Sequence, residues 1–175
     1  LLDIFILLLS GVALEAIVRA VMGLLTYISD DQQLRSLTFW TMGDLGVAGW
    51  KELAMIVPVI GVSCFMIIRK AAALSLFLLG EAEAQHLGID VQKLKKSLIM
   101  WTALCISLAV SFTGSIGFIG LVAPHLARLL TGPNHKMLFP GAALIGALLL
   151  GIADILARSI ATTEIPVGII TAFIG

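Results

Sequence analysis

The sequence predicts an all-α fold, a polytopic transmembrane helical bundle, and three observations carry that reading. Only 13% of the 175 residues are charged and 59% are hydrophobic, whereas soluble domains hold about a quarter charged and about half apolar residues. Mean hydropathy is +1.09. The apolar residues gather in long runs, and the charges fall mostly in the connections between them. So few charges cannot cover a water-facing surface, and a lipid bilayer is the surrounding that fits the apolar surplus.

A spanning helix needs about 20 mostly apolar residues, and fewer when it is packed inside a bundle. The runs place spans at about 1–28, 53–68, 98–112, 116–130 and 138–160, with the start of another at 165–175, all in a single partial transmembrane domain. The first span opens "LLDIFILLLSGVALEA" without a basic leader, so no signal peptide is read there. The last stretch stops inside the apolar "GIITAFIG", and both ends read as cut from a longer chain. Within the first span Glu15 and Arg19 lie four residues apart on one helical face. Charges inside a membrane are costly and usually point toward partners or a water-filled path. An ion pair that satisfies itself and a lining of such a path are both compatible with that spacing.

The next connection, "YISDDQQLRSLTFWTMGDLGVAGW", is polar, and its Trp40 and Trp50 read either as interfacial anchors or as packing residues. Residues 53–68 contain Pro58, and 116–130 contain Pro124. Short or Pro-interrupted spans suit helices buried in protein better than helices facing lipid. The connection after 53–68 is the most charged part of the chain, "LLGEAEAQHLGIDVQKLKK". It and its flanks hold Arg69, Lys70, Lys93, Lys95 and Lys96, and the connection at 128–136 adds Arg128 and Lys136. The opposite side has Arg35, Lys51 and Arg158, offset by Asp30, Asp31, Asp44 and Glu164. The excess of basic residues puts 78–96 in the cytoplasm and 27–50 outside.

Glycines recur every third residue at Gly114, Gly117 and Gly120, which lets helix backbones approach closely. Pro124 then opens or breaks a helix, and His125 beside it reads as a hydrogen-bonded core residue. No βαβ unit surrounds these glycines, so they are not a dinucleotide fingerprint. Asp154 and Arg158 repeat the four-residue spacing near the outer end of 138–160.

Several classes fall away. With 11 basic and 11 acidic residues the net charge is zero, and nucleic-acid binding needs a basic face. Cys64 and Cys105 lie singly in apolar runs and read as small core hydrophobes. No Walker A, HExxH, GxSxG or paired-cysteine motif occurs, so the chain is not read as an enzyme.

"FWTMGDL", "LLGEAEAQHLGI", "GSIGFIGLVAPHLARLL" and "ADILARSIATTEIPVGIITAFIG" occur in this order across nearly the whole chain. Together they closely resemble the FecCD-type permeases, membrane subunits of bacterial ABC importers for ferric siderophores, haem and cobalamin. The resemblance implies a multi-pass protein of the bacterial inner membrane with the cobalamin-permease fold, working as a homodimer. Its implied partners are a cytoplasmic ABC ATPase subunit, a periplasmic substrate-binding protein and a second permease copy. No cofactor is expected on this subunit; ATP and Mg belong to the partner ATPase. The chain would cover the fifth to ninth helices of ten and the start of the tenth, with the cytoplasmic gate outside it.

The resemblance also gives residues roles. About 74–96 matches the coupling elbow that docks into a groove on the ATPase, where Gly80, Glu81, Ala84, Leu87 and Gly88 fit the pattern. Glu83 and His86 belong to the same elbow. Arg158 matches an outer-end arginine that, in the cobalamin member, pairs with a glutamate of the binding protein. The first span matches a path-lining helix, which brings in Glu15 and Arg19. The loop "YISDDQQLRSLTFWTMG" looks most like haem importers, although none of His86, His125 and His135 is placed as an outer-side haem ligand. A ferric-siderophore or cobalamin permease is the alternative. An ion-coupled secondary transporter with Glu15 and Arg19 as a relay, or a non-transporting scaffold, are the further rivals.

Overall fold

A computed structural model describes residues 2–46, 49–77, 80–160 and 165–174. Nine helices occur among them: α1 Leu2–Ile28, α2 Asp31–Met42, α3 Trp50–Arg69, α4 Ala71–Leu76, α5 Glu81–His86, α6 Val91–Thr113, α7 Ile119–Thr131, α8 His135–Ile160 and α9 Val167–Ile174. No strand is found among the described residues. Residues 1–39 and 40–175 form two compact units. Leu78, Leu79 and Glu164, which the sequence reading used, lie outside the described residues.

Four helical segments are long and apolar enough to cross a membrane: Leu8–Ile28, Trp50–Arg69, Val91–Thr113 and His135–Ile160. The expected span at 116–130 is a shorter helix. α7 has 13 residues, about 20 Å at 1.5 Å per residue, against about 30 Å of hydrocarbon. The glycine-rich stretch before it is not helical, and Phe118 leaves the helical region altogether at φ 65°. Pro124 neither opens nor breaks this helix; it sits inside α7. The span expected from residue 98 begins instead at Val91, because the Asp90 carboxylate accepts the Lys93 backbone N–H at 3.0 Å and caps the helix there.

In the first unit, the polar connection after α1 holds a helix of its own. Asp30 Oδ1 accepts the Gln33 N–H at 2.8 Å, and Gln33 Oε1 accepts the Asp30 N–H at 3.4 Å. This reciprocal box satisfies two donors at a helix start and allows α2 to form from a stretch with no apolar stripe.

In the second unit α7 and α8 pack through small residues. Ala123 and Ala127 are buried, and a Cβ built on Gly146 would lie 3.5 Å from the Ala123 Cβ, one on Gly141 3.7 Å from the Ala127 Cβ. His125 lies two residues from each alanine and is exposed, since two residues is a little over half a helical turn. It is therefore not the core histidine that its neighbourhood suggested. A second cluster joins Ala153, Ala157 and Val167 to Leu45, Leu150 and Ile170, bringing α9 and the loop after α2 onto the end of α8. Buried polar groups bond along their own helices: Ser63 on α3 donates to the Val59 carbonyl at 2.8 Å and Thr171 on α9 to the Gly168 carbonyl at 3.0 Å. Large apolar side chains such as Leu121, Leu129, Leu144, Leu148 and Ile155 remain on the outside, as lipid-facing or helix-facing surface requires.

Candidate functional site

The charged connection folds into a compact elbow. After α4, Gly80 begins α5, and the Ala84 N–H bonds the Gly80 carbonyl at 3.1 Å. The helix closes when the Ile89 N–H reaches back to the Ala84 carbonyl at 3.1 Å. Asp90 then starts α6 at once. The underside of the elbow is apolar: Ala84 and Val91 are buried, with Leu94 beside them on α6. Burial of a residue as small as alanine lets α5 lie close against α6.

Of the residues predicted to couple to an ATPase, Glu81, Glu83, His86, Leu87 and Gly88 are exposed. Leu87 is the clearest outward apolar group, 60% exposed. Ala84 instead points inward and seats the helix. Glu81 is engaged within the chain, because its carboxylate pairs with the Lys95 ammonium on the second turn of α6. Glu83 folds back over the head of its own helix, where its Oε2 would lie 2.7 Å from a Cβ on Gly80. The Asp90 carboxyl is held below the usual carboxylate range, first by the Lys93 backbone N–H and then by the Lys93 side chain, whose ammonium is 2.9 Å away. The other flank of the elbow is also tied down. Ser75 Oγ on α4 lies 3.1 Å from His135 Nδ1 at the start of α8, and the His135 ring meets Phe139 edge to face at 5.8 Å.

At the opposite end of the unit, Arg158 Nε donates to Asp154 Oδ2 at 3.0 Å. Asp44 Oδ1 accepts the Gly46 N–H at 2.7 Å. Asp44, Asp154, Arg158 and Val167 line one small cleft. The arginine is mostly exposed and its aspartate is half-buried, so the pair fixes the guanidinium while leaving donors free.

In the first unit, Arg19 donates to Glu15 Oε1 from Nη2 at 2.7 Å and from Nε at 2.9 Å, and both side chains are exposed. Within that unit the two charges satisfy each other. No group of three or more His, Cys, Asp or Glu side chains gathers among the described residues.

Sequence reasoning missed Lys95 and the Ser75–His135 contact. Lys95 is 14 residues from Glu81 and Ser75 is 60 from His135, so no local spacing announces either pair. The Asp154–Arg158 and Glu15–Arg19 pairs were visible because they follow the four-residue helical repeat.

The elbow brings together no group of three or more His, Cys, Asp or Glu side chains among the described residues. It offers a short helix set against a longer one, with polar and apolar groups turned outward, which is the chemistry of a protein contact. A hemin transport system permease protein, HmuU of Yersinia pestis, is 48% identical over 170 residues, 97% of this chain and 51% of that protein. A cobalamin import system permease protein, BtuC of Halobacterium salinarum, is 41% identical over 169 residues, 97% of this chain and 45% of that protein. A solved chain, described as an inward-facing conformation of a metal-chelate type ABC transporter, superposes with a TM-score of 0.89 at 36% identity, covering 95% of this chain and 55% of that one. The chain thus spans about half the length of the curated relatives it matches. The FecCD transport family matches residues 1–175, and the chain belongs to that family.

Proposed function

We propose that this chain forms part of the transmembrane permease subunit of an ATP-driven importer for an iron chelate, with haem as the substrate. The observation that carries the reading is the 48% identity to a hemin permease across 97% of the chain. A binding protein delivers the substrate at the outer face, with Arg158 as one of its contacts. A partner ATPase holds ATP and Mg and engages the elbow at Gly80–Gly88. ATP binding moves the elbow, and two permease copies in the inner membrane rock between outward and inward openings. Such an equilibrium shifts only if the partner binds the two states with different affinity, and the elbow is where that difference acts. Glu15 and Arg19 stand along the path as a mutually neutralised pair, whose low net charge suits passage of a chelate better than a proton relay.

The 41% identity to a cobalamin permease makes cobalamin the competing cargo. The test is uptake of haem, cobalamin and a ferric siderophore into proteoliposomes holding the permease that carries this chain, its ATP-binding subunit and its binding protein. ATP-dependent uptake of haem alone is the expected result, and uptake of cobalamin without haem would overturn the substrate. In the same system Arg158→Glu should weaken binding-protein association by about tenfold or more, since like charges across an interface cost several kcal/mol, and should leave ATPase assembly intact. Unchanged association would remove Arg158 from the docking surface.

A further inference from the structure

We propose that Lys95 is a positioning residue that clips the elbow helix α5 to α6, so that Glu81 transmits movement into α6 instead of recognising the ATP-binding partner. The inference rests on the proposed function and asks how a push on the elbow reaches the membrane.

The geometry assigns the elbow's groups to separate tasks. Glu81 is the first residue of α5, and its carboxylate reaches the Lys95 ammonium across to α6. The pair is only partly screened from water: the lysine side chain is 37% exposed and the glutamate 55%. Glu83 turns back over Gly80 yet stays exposed. With Gln85, His86 and Leu87 it makes up the outward surface of the elbow beside the ion pair.

The clip has an apolar counterpart. Ala84 lies one turn beyond Glu81 and is fully buried, and Val91 and Leu94 are the buried residues of α6. Glu81 and Ala84 are three residues apart and so share one side of α5, while Val91, Leu94 and Lys95 share one side of α6. The ion pair joins the Glu81 side of α5 to the Lys95 side of α6, and buried residues lie on both of those sides. The turn between them adds no slack, because the Ile89 N–H is bonded to the Ala84 carbonyl and Asp90 caps α6 immediately afterwards.

A contact between α5 and a partner that displaced α5 alone would have to break this pair. While the pair holds, α5 and the first turns of α6 move as one body. Lys95 touches no substrate and no nucleotide in this scheme; it acts through Glu81.

The test measures substrate imported per ATP hydrolysed, using the reconstituted permease with its ATP-binding subunit and binding protein. Lys95→Gln should lower this ratio by about two- to fivefold, the range that a partly exposed pair can supply, while ATP hydrolysis and co-purification with the ATP-binding subunit persist, and Glu81→Gln should lower the ratio by the same factor. Lys95→Arg should keep the ratio, and the exchanged pair Glu81→Lys with Lys95→Glu should recover it. Direct recognition by Glu81 predicts otherwise: Glu81→Lys would disrupt assembly whatever stands at 95, and Lys95→Gln would leave the ratio unchanged. Either of those results overturns the proposal. If the parent permease neither assembles with an ATP-binding subunit nor imports in response to ATP, the proposed function fails and this inference fails with it.

Discussion

Replacing Gly168 by alanine should destabilise the protein, although Gly to Ala in an open helix usually stabilises it by about 0.5–1 kcal/mol. Gly168 is the second residue of α9, and a Cβ there would collide with the Met42 carbonyl oxygen. The obstacle is backbone, so no side chain can swing away. Moving it means pulling on the loop after α2, which is held by the Val167 N–H on the Gly43 carbonyl at 3.1 Å and by the Asp44 N–H on the Thr113 carbonyl at 2.9 Å. Overpacking against a fixed neighbour costs about 1–3 kcal/mol, and stretching one of those bonds forfeits a further contribution of about 1 kcal/mol. Set against the helix gain, the net loss is about 1–3 kcal/mol. Gly146→Ala is the matched control. Its Cβ would meet the Ala123 Cβ at 3.5 Å and Ile119 Cγ2 at 3.7 Å, ordinary contact inside α8, so it should gain the usual 0.5–1 kcal/mol or so. Thermal unfolding of the detergent-purified permease, followed by tryptophan fluorescence, ranks the variants. A Gly168→Ala protein as stable as the parent, beside a stabilised Gly146→Ala, would refute the close approach.

The Asp90 carboxyl titrates below its ordinary value of 3.8 because it accepts the Lys93 N–H. A group lowered on folding stabilises fully above its unfolded pKa, and that contribution is lost as pH falls through the folded pKa. Hydrogen-exchange protection of the Lys93 amide should therefore fall only below about pH 3.8, and Asp90→Asn, which keeps a capping oxygen, should flatten that fall; an unchanged pH profile would remove Asp90 as its source. For the other flank, His135→Phe and Ser75→Ala should each cost about 0.5–1.5 kcal/mol and should not add when combined. Full additivity in a double-mutant cycle would mean that the two side chains do not interact.

The bundle was legible because long apolar runs and charged connections are compositional facts, and composition survives without knowledge of neighbours. The elbow was legible for the same reason, as a charged interruption flanked by lysines. What stayed hidden depends on segments far apart in sequence. "FWTMGDL", "GSIGFIG" and "VGII" read as separate signatures, yet Gly43, Gly114 and Gly168 from the three converge on one junction, where a Cβ on Gly114 would strike the Trp40 carbonyl. Gly114 also sits at φ 69° and ends α6 after Thr113, one residue beyond the end that the sequence predicts. α2 was missed for a local reason: "DDQQLRS" has no apolar stripe, and only the Asp30–Gln33 box marks it as a helix start. His125 was misjudged because being among core residues in sequence does not decide which face of α7 it occupies.

These placements make α6 the element that joins the two ends of the second unit. It has 23 residues, about 35 Å of helix, enough to run from one membrane face to the other. At its start, α5 is held on it by the Glu81–Lys95 pair and the buried Ala84. At its end, the Thr113 carbonyl holds the Asp44 N–H, and the loop carrying Asp44 holds Val167 and so the start of α9. The two attachments differ in kind. The one at the end of α6 is made of backbone hydrogen bonds and glycine clearances, which most side-chain substitutions leave alone and a single methyl group disrupts. The elbow end relies on side chains, which substitution can weaken, restore or reverse by degrees. Substitutions at the elbow should therefore act by degrees on the role proposed for it, while an added methyl group at the far junction should lower stability by about 1–3 kcal/mol.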